Sequence, residues 1–358
     1  MKNRFASLDL IRAVAVFFVI SVHFFLNTGF YDTNINSLEW WPLIFIREIF
    51  FTCVPLFILL SGYLCINKKF DSDYLYKIFK LMFSYLIVGI ICLLFRKFYL
   101  NENINIINSI IYIFNFTACP NAWYLEMYIG LFLLIPFLNI IYNNIQEKKY
   151  KDILIIVLLL LTSLEALTTT LKIQDINLNI FPDYWTIIYP ITYYFIGAYI
   201  KEFNISIPKR RLFRMLIITL IIQTTGVFIY SYNKLFSWTF FGGYNNIFTV
   251  VISSIIFILL KNTNIKNEEF NNFIKSISLV SFEMYLVSYI LDSIMYKNIN
   301  VQISLLNNLV AYLVCVPIIL IFSYYSAYIV DYISKKIHKY IKKYYDNIIV
   351  KIQLLKNK

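Results

Sequence analysis

The chain has 358 residues, 60% of them hydrophobic and 19% aromatic, with a formal net charge of +12. So apolar a composition excludes a soluble globular domain and points to a polytopic membrane protein. A charge of +12 in a soluble chain would suggest nucleic acid, but here the bases alternate with apolar runs, and no nucleic-acid partner is expected.

The first apolar run, 7 to 27, carries Asp9, Arg12 and His23. An ionisable side chain at the centre of a spanning helix costs about 2.5 to 3.5 kcal/mol on insertion scales, so it faces a bundle interior or a cavity. At about 100° per residue, the steps from Arg12 to His23 return to within roughly 20° of the start and separate the two by about 16 Å. Arg12 therefore sits towards one face of the membrane and His23 towards the other. No small-residue cleavage site follows in Leu26-Asn-Thr-Gly-Phe-Tyr31, so the run reads as a retained span.

Nine further runs of spanning length follow, at 43 to 66, 76 to 96, 122 to 142, 152 to 169, 184 to 200, 212 to 231, 244 to 260, 274 to 296 and 304 to 330. The second holds Arg47, Glu48, Pro55, Ser61 and Gly62. Pro55 frees a carbonyl within the helix and Gly62 permits close backbone approach, so this span is expected to bend around a ligand. Lys77 and Lys80 follow just beyond it. The fourth run opens Trp123-Tyr124-Leu125-Glu126, where Trp123 and Tyr124 also suit an interfacial belt and an unpaired Glu126 would be expensive. Glu165, Gln223 and Glu283 are further polar groups within spans, without assigned partners.

Of the 32 Lys and Arg, 25 fall in one set of alternate connecting segments and 5 in the other, with Arg12 and Arg47 inside spans. This bias predicts that both termini are cytoplasmic. The expected architecture is all-α: a single bundle of about ten transmembrane helices over 1–330, followed by a basic amphipathic cytoplasmic tail over 331–358. Tyr332, Ile333, Ile337, Tyr340, Ile341 and Tyr344 recur at helical spacing among lysines, as in a helix lying on an anionic inner leaflet, with His338 on its solvated face. Five cysteines without ligand spacing and only two histidines give no metal site.

Arg12, ten residues and His23, behind a Leu8-Asp9-x-x-Arg12 start, resemble the first helix of the membrane-bound acyltransferase 3 family, whose members O-acylate surface glycans and related acceptors. Val54-Pro55-Leu56-Phe57 with Ser61-Gly62-Tyr63 is similar to the run that the family carries in its second helix. Lys77 and Lys80 stand where the family tends to have Arg-x-x-Arg; lysines keep the charge and lose the bidentate geometry. Trp123-Tyr124-Leu125 with Pro136 and Tyr194-Phe-Ile-Gly197 also look like family stretches. In Tyr285-Leu286-Val-Ser288, Ser288 replaces a histidine that members often have. The likeness is motif-specific only over about residues 4 to 138.

The resemblance implies an integral membrane O-acyltransferase of the cell membrane, with acyl-CoA (acetyl-CoA) as co-substrate and no tightly bound cofactor. Its phosphates are expected on inner-face bases near Arg12, with Asp9, Ser61, Lys77 and Lys80, or the Lys209-to-Arg214 cluster, as candidates; a plain topogenic role is the alternative for these lysines. His23 is the expected general base, Arg47 the oxyanion stabiliser, and Glu126, preferred over Glu48, the group that orients the imidazole. His23, Arg47, Glu48 and Glu126 are expected to share one layer. Trp123, Tyr124 and Glu48 are candidates for contact with the acceptor, a surface polysaccharide or lipid-linked glycan. A small-solute carrier and a glycan-assembly scaffold are the rival readings.

Overall fold

The computed structural model describes residues 6–164, 172–173, 176–177, 183–237, 241–297, 299 and 305–356. Among them the α-helices are α1 (Ala6–Asn27), α2 (Trp41–Phe50), α3 (Cys53–Cys65), α4 (Ser72–Phe98), α5 (Ile106–Phe114) and α6 (Trp123–Asn144). They continue with α7 (Lys148–Leu159), α8 (Tyr189–Glu202), α9 (Lys209–Ser231), α10 (Ile247–Lys261), α11 (Glu268–Met295) and α12 (Leu305–Lys356). A two-residue antiparallel ladder pairs Lys172–Ile173 with Ile176–Asn177.

Among the described residues, seven stretches are long and apolar enough to cross a bilayer: Ala6–Asn27, Leu38–Cys65, Tyr74–Phe98, Pro120–Asn144, Lys209–Ser231, Glu268–Met295 and Asn307–Tyr340. Each overlaps one predicted run. The other three runs fall on shorter helices. Residues 152 to 169 meet α7 and a π-helical turn, Leu160–Leu164, with 165–169, Glu165 included, outside the described residues. Residues 184 to 200 meet a 3-10 turn, Asp183–Ile188, and α8, while 244 to 260 meet α10.

α1 is the centre of the bundle and packs against α2, α3, α10, α11 and α12. Its Ile11, Ala15, Val16, Val19, Ile20 and Phe24 are buried, as expected of a helix with protein on most sides. α1 and α11 are tied at both ends. Ser278 Oγ donates to Asp9 Oδ1 at 2.7 Å, and His23 Nδ1 lies 3.0 Å from Asp292 Oδ2. The two bonds are equally spaced on the two helices and in the same sense, so α1 and α11 run parallel.

That direction constrains the crossing number. Four of the seven long stretches lie between α1 and α11, and four crossings would leave the pair antiparallel. An odd number of the shorter helices α7, α8 and α10 must therefore cross as well. α4 and α12 agree: Tyr76 Oη reaches His338 O while Ser84 Oγ reaches Ser334 Oγ, an antiparallel pairing that seven crossings alone would not give.

The second span is broken rather than gently bent. Phe51 and Thr52 separate α2 from α3, and Thr52 Oγ1 donates back to Ile49 O at 2.7 Å. Pro55 is the cause, because it has no N–H for the Phe51 carbonyl one turn before it. At the other end of α3, Gly62 and Gly197 of α8 bring two backbones together. An added Cβ would lie 1.9 Å from Tyr194 O at Gly62 and 2.1 Å from Leu59 O at Gly197.

α12 continues unbroken through 330, and its described side chains end at Tyr340. Asp331 receives Lys80 at 3.1 Å and Lys335 at 2.5 Å. α5 was not expected; it stands in a predicted loop with Ile106, Ile107, Ile110, Ile111 and Phe114 all exposed.

Gly197→Ala should destabilise the fold by about 1 to 3 kcal/mol, since backbone and not a flexible side chain occupies the added methyl's place. Gly130, where an added Cβ meets nothing within 4 Å, is the control. Thermal unfolding in detergent checks both: a Gly197→Ala melting temperature equal to that of Gly130→Ala would refute this packing.

Candidate active site

Two matching stripes run along the parallel pair. On α1, Arg12, Val19 and His23 share a face; on α11, Ser278, Tyr285 and Asp292 recur every seventh residue. Arg12 Nη1 lies 3.4 Å from Asp9 Oδ1 and 3.5 Å from Ser278 Oγ. At the opposite end Asp292 Oδ2 takes His23 Nδ1, and the Asn121 amide lies 3.4 Å from the same nitrogen. A carboxylate only accepts, so this bond places the proton on Nδ1 and leaves Nε2 as the basic nitrogen.

Arg47 is fully buried. Its Nη1 donates to Glu48 Oε1 at 2.7 Å and its Nε to Tyr31 Oη at 3.1 Å. The guanidinium carbon lies 4.0 Å from the Phe51 ring centroid, and Phe51 stacks on Tyr244 at 4.1 Å. Trp123 in turn stacks on Tyr244 at 5.7 Å. Glu48 turns away from this ladder and accepts from Gln223 Nε2 at 2.9 Å. Arg47 Nη2 has no hydrogen-bond partner among the described residues.

The loop after α1 closes over Arg47. Ile35 N donates to Lys234 O, Asn233 N to Ile35 O and Phe236 N to Thr33 O, all within 2.9 Å. This zipper holds Tyr31 and Phe236 at 5.5 and 5.6 Å from the guanidinium.

Two chambers meet between these elements. One, of about 410 Å³, is lined by His23, Arg47, Tyr31, Phe51, Trp123 and Tyr244 among others. The second, of about 250 Å³, is lined by Arg12, Phe57, Ser61, Cys65, Tyr124 and Tyr128 among others. Val19, Val54 and Tyr285 line both, so the chambers are adjacent and these three side chains stand between them. His23 and Arg12, about 16 Å apart on α1, thus open on adjacent cavities.

Several expected site residues stand elsewhere. Glu126 is exposed on α6 and forms no hydrogen bond or ion pair with His23; the carboxylate at the ring is Asp292. Sequence placed Glu126 at the right depth, but the rotation of α6 turns it outwards. Glu48 shares the layer and is sequestered by Arg47 and Gln223, lining neither chamber. Asp9 is buried behind Arg12 and does not reach the cavity. Lys80 is engaged by Asp331, Lys77 is exposed, and neither lines a chamber. Trp123 and Tyr124 point about 100° apart and serve different chambers.

Asp292, Tyr285 and Tyr244 were not anticipated as site residues. Asp292 carried a signal: it is an acid about one turn from the far end of a span, four residues beyond Ser288.

The sequence model of the acyltransferase 3 family, described as an acyltransferase domain, matches residues 5–328. The chain belongs to that family. No curated protein and no solved structure matches it. The chain is therefore a membrane acyltransferase, and the imidazole, buried guanidinium and adjacent cavities are groups suited to acyl transfer.

For this acyltransferase, Asp292→Asn should lower the initial rate of acyl transfer about 10²-fold or more, by removing the acceptor that fixes the imidazole tautomer. Glu126→Gln should stay within about threefold, as expected for an exposed group on another face. Rates in proteoliposomes measure both; a loss at Glu126 equal to that at Asp292 would reverse the assignment.

Proposed function

We propose that the protein is an O-acyltransferase of the cell membrane that moves an acyl group, acetyl in this reading, from cytoplasmic acyl-CoA to a hydroxyl of a surface polysaccharide or lipid-linked glycan. The observation that carries this reading is the adjacency of the Arg12 and His23 chambers across Val19, Val54 and Tyr285, which in this reading form a neck between them. The cavity that reaches Arg12 is narrow and mostly apolar, which fits the pantetheine arm better than a nucleotide. Phosphates would stay at its mouth, where Arg12, Lys68, Lys77 and Lys201 all act electrostatically on Cys65. Asp9 holds Arg12, and Ser61 lines the passage.

In this reading ten helices cross, both termini are cytoplasmic, and the bundle over 1–330 carries a basic tail over 331–358 on the inner leaflet. The acceptor enters the His23 chamber beside Trp123, whose exposed indole and the Tyr244 ring behind it offer the flat apolar faces that sugars meet. His23 Nε2 takes the acceptor hydroxyl proton as the oxygen attacks the thioester carbonyl. Arg47 balances the charge that develops on the carbonyl oxygen. Collapse breaks the C–S bond, and the proton returns from His23 to the thiolate.

A carrier of small solutes also has a path across the membrane, and it makes a different prediction. In liposomes supplied with labelled acetyl-CoA and a cell-surface glycan fraction, His23→Ala should lower transfer about 10²- to 10⁴-fold. Undiminished transfer by that variant would eliminate the mechanism. Solute flux that needs no acyl-CoA, without thioester turnover, would establish the carrier instead.

A further inference from the structure

Tyr285 has no part in the scheme above, yet it lies where the two chambers meet. It is buried on α11, midway between Ser278 and Asp292. Its ring is met edge-on by Tyr124 at 5.8 Å and packs at a tilt against Phe282 at 6.4 Å. Its hydroxyl makes no hydrogen bond among the described residues; the Tyr124 backbone N–H bears on it from the first turn of α6 without reaching hydrogen-bond geometry. A buried hydroxyl left without a partner forfeits about 1 to 3 kcal/mol, so its persistence at a cavity neck points to a ligand that supplies the partner.

The neck has little else polar. Val19 and Val54 are the other residues common to both chambers. In the His23 chamber the second buried donor without a partner is Arg47 Nη2. Arg47 and Tyr285 come from different helices and both face the cavity that His23 lines. A phenol held in place by packed rings donates a hydrogen bond without reorganising, as transition-state stabilisation requires.

We propose that Tyr285 is a catalytic residue of the transfer, its hydroxyl donating to the thioester carbonyl oxygen at the neck while Arg47 Nη2 donates to the same oxygen. The assignment rests on the acyl-transfer reading. As the acceptor oxygen bonds to the carbonyl carbon, the C=O electron pair moves onto that oxygen, and Tyr285 and Arg47 hold it without giving up a proton. His23 carries the acceptor proton throughout. When the C=O bond re-forms, the C–S bond breaks and the thiolate takes that proton.

Tyr285→Phe keeps the ring and removes the donor. Initial rates in proteoliposomes, with acetyl-CoA varied, should show kcat lowered about 10²-fold with KM for acetyl-CoA within about threefold of wild type. Tyr296→Phe is the control, because Tyr296, just past the end of α11, is also buried, has a hydroxyl without a hydrogen-bond partner among the described residues and lines neither chamber. It should retain full kcat. An unchanged kcat in Tyr285→Phe, a loss confined to KM, or an equal loss in Tyr296→Phe overturns the role of Tyr285 while leaving acyl transfer intact. A wild-type protein that transfers no acyl group removes both.

Discussion

The parallel register of α1 and α11 is the constraint on which the site depends. Asp9 meets Ser278 at one end and His23 meets Asp292 at the other, so neither helix can slide or rotate without breaking a buried polar bond. Within a bilayer no water replaces such a partner, and an unsatisfied group is costly. A slip of one residue would turn the His23 ring about 100° from the carboxylate and take Val19 away from the neck. The two bonds therefore set the spacing of the chambers as well as the tautomer of the imidazole.

Arg47 shows how a permanent charge is kept in this layer. Its partner Glu48 is the next residue in the chain, an arrangement possible because the pair sits just before the break at Phe51 and Thr52. The pair is neutral as a unit, and breaking one member of such a buried pair typically costs about 3 to 5 kcal/mol. Gln223 secures the carboxylate, and Phe51, Tyr31 and Phe236 surround the guanidinium. Pro55 thus matters to the site at a distance. By ending the helix early it lets Arg47, Phe51 and Val54 line one wall.

Hydropathy and charge spacing made most of the spans legible, because length and composition decide which segments enter a membrane. The α1 stripe was equally plain, since the 3.6-residue period alone puts Arg12 and His23 on one face. Azimuth was not legible. Glu126 in the first turn of α6 and Asp292 in the last turn of α11 lie at comparable depth, and only helix–helix packing decides that Asp292 turns inwards and Glu126 outwards. The zipper between 33–35 and 233–236 was also hidden, because it joins two irregular loops with no periodicity to read. Glu48 illustrates the same limit: its depth was visible, while its capture by Gln223 needed the packing of α2 against α9.

The direction of α1 and α11 also bears on how the chambers relate to the membrane. Because the helices are parallel and both long enough to span, their Asp9 and Ser278 ends lie at one face and their His23 and Asp292 ends at the other. The chamber at Arg12 and the chamber at His23 consequently belong to opposite halves of the bilayer. Two reactants approaching from different sides need not share an entrance, and in the proposed reading only a group thin enough to pass Val19, Val54 and Tyr285 would go from one to the other. In the proposed reading a bulky head, whether nucleotide or glycan, would keep to its own half, and the reacting atoms alone would meet between them.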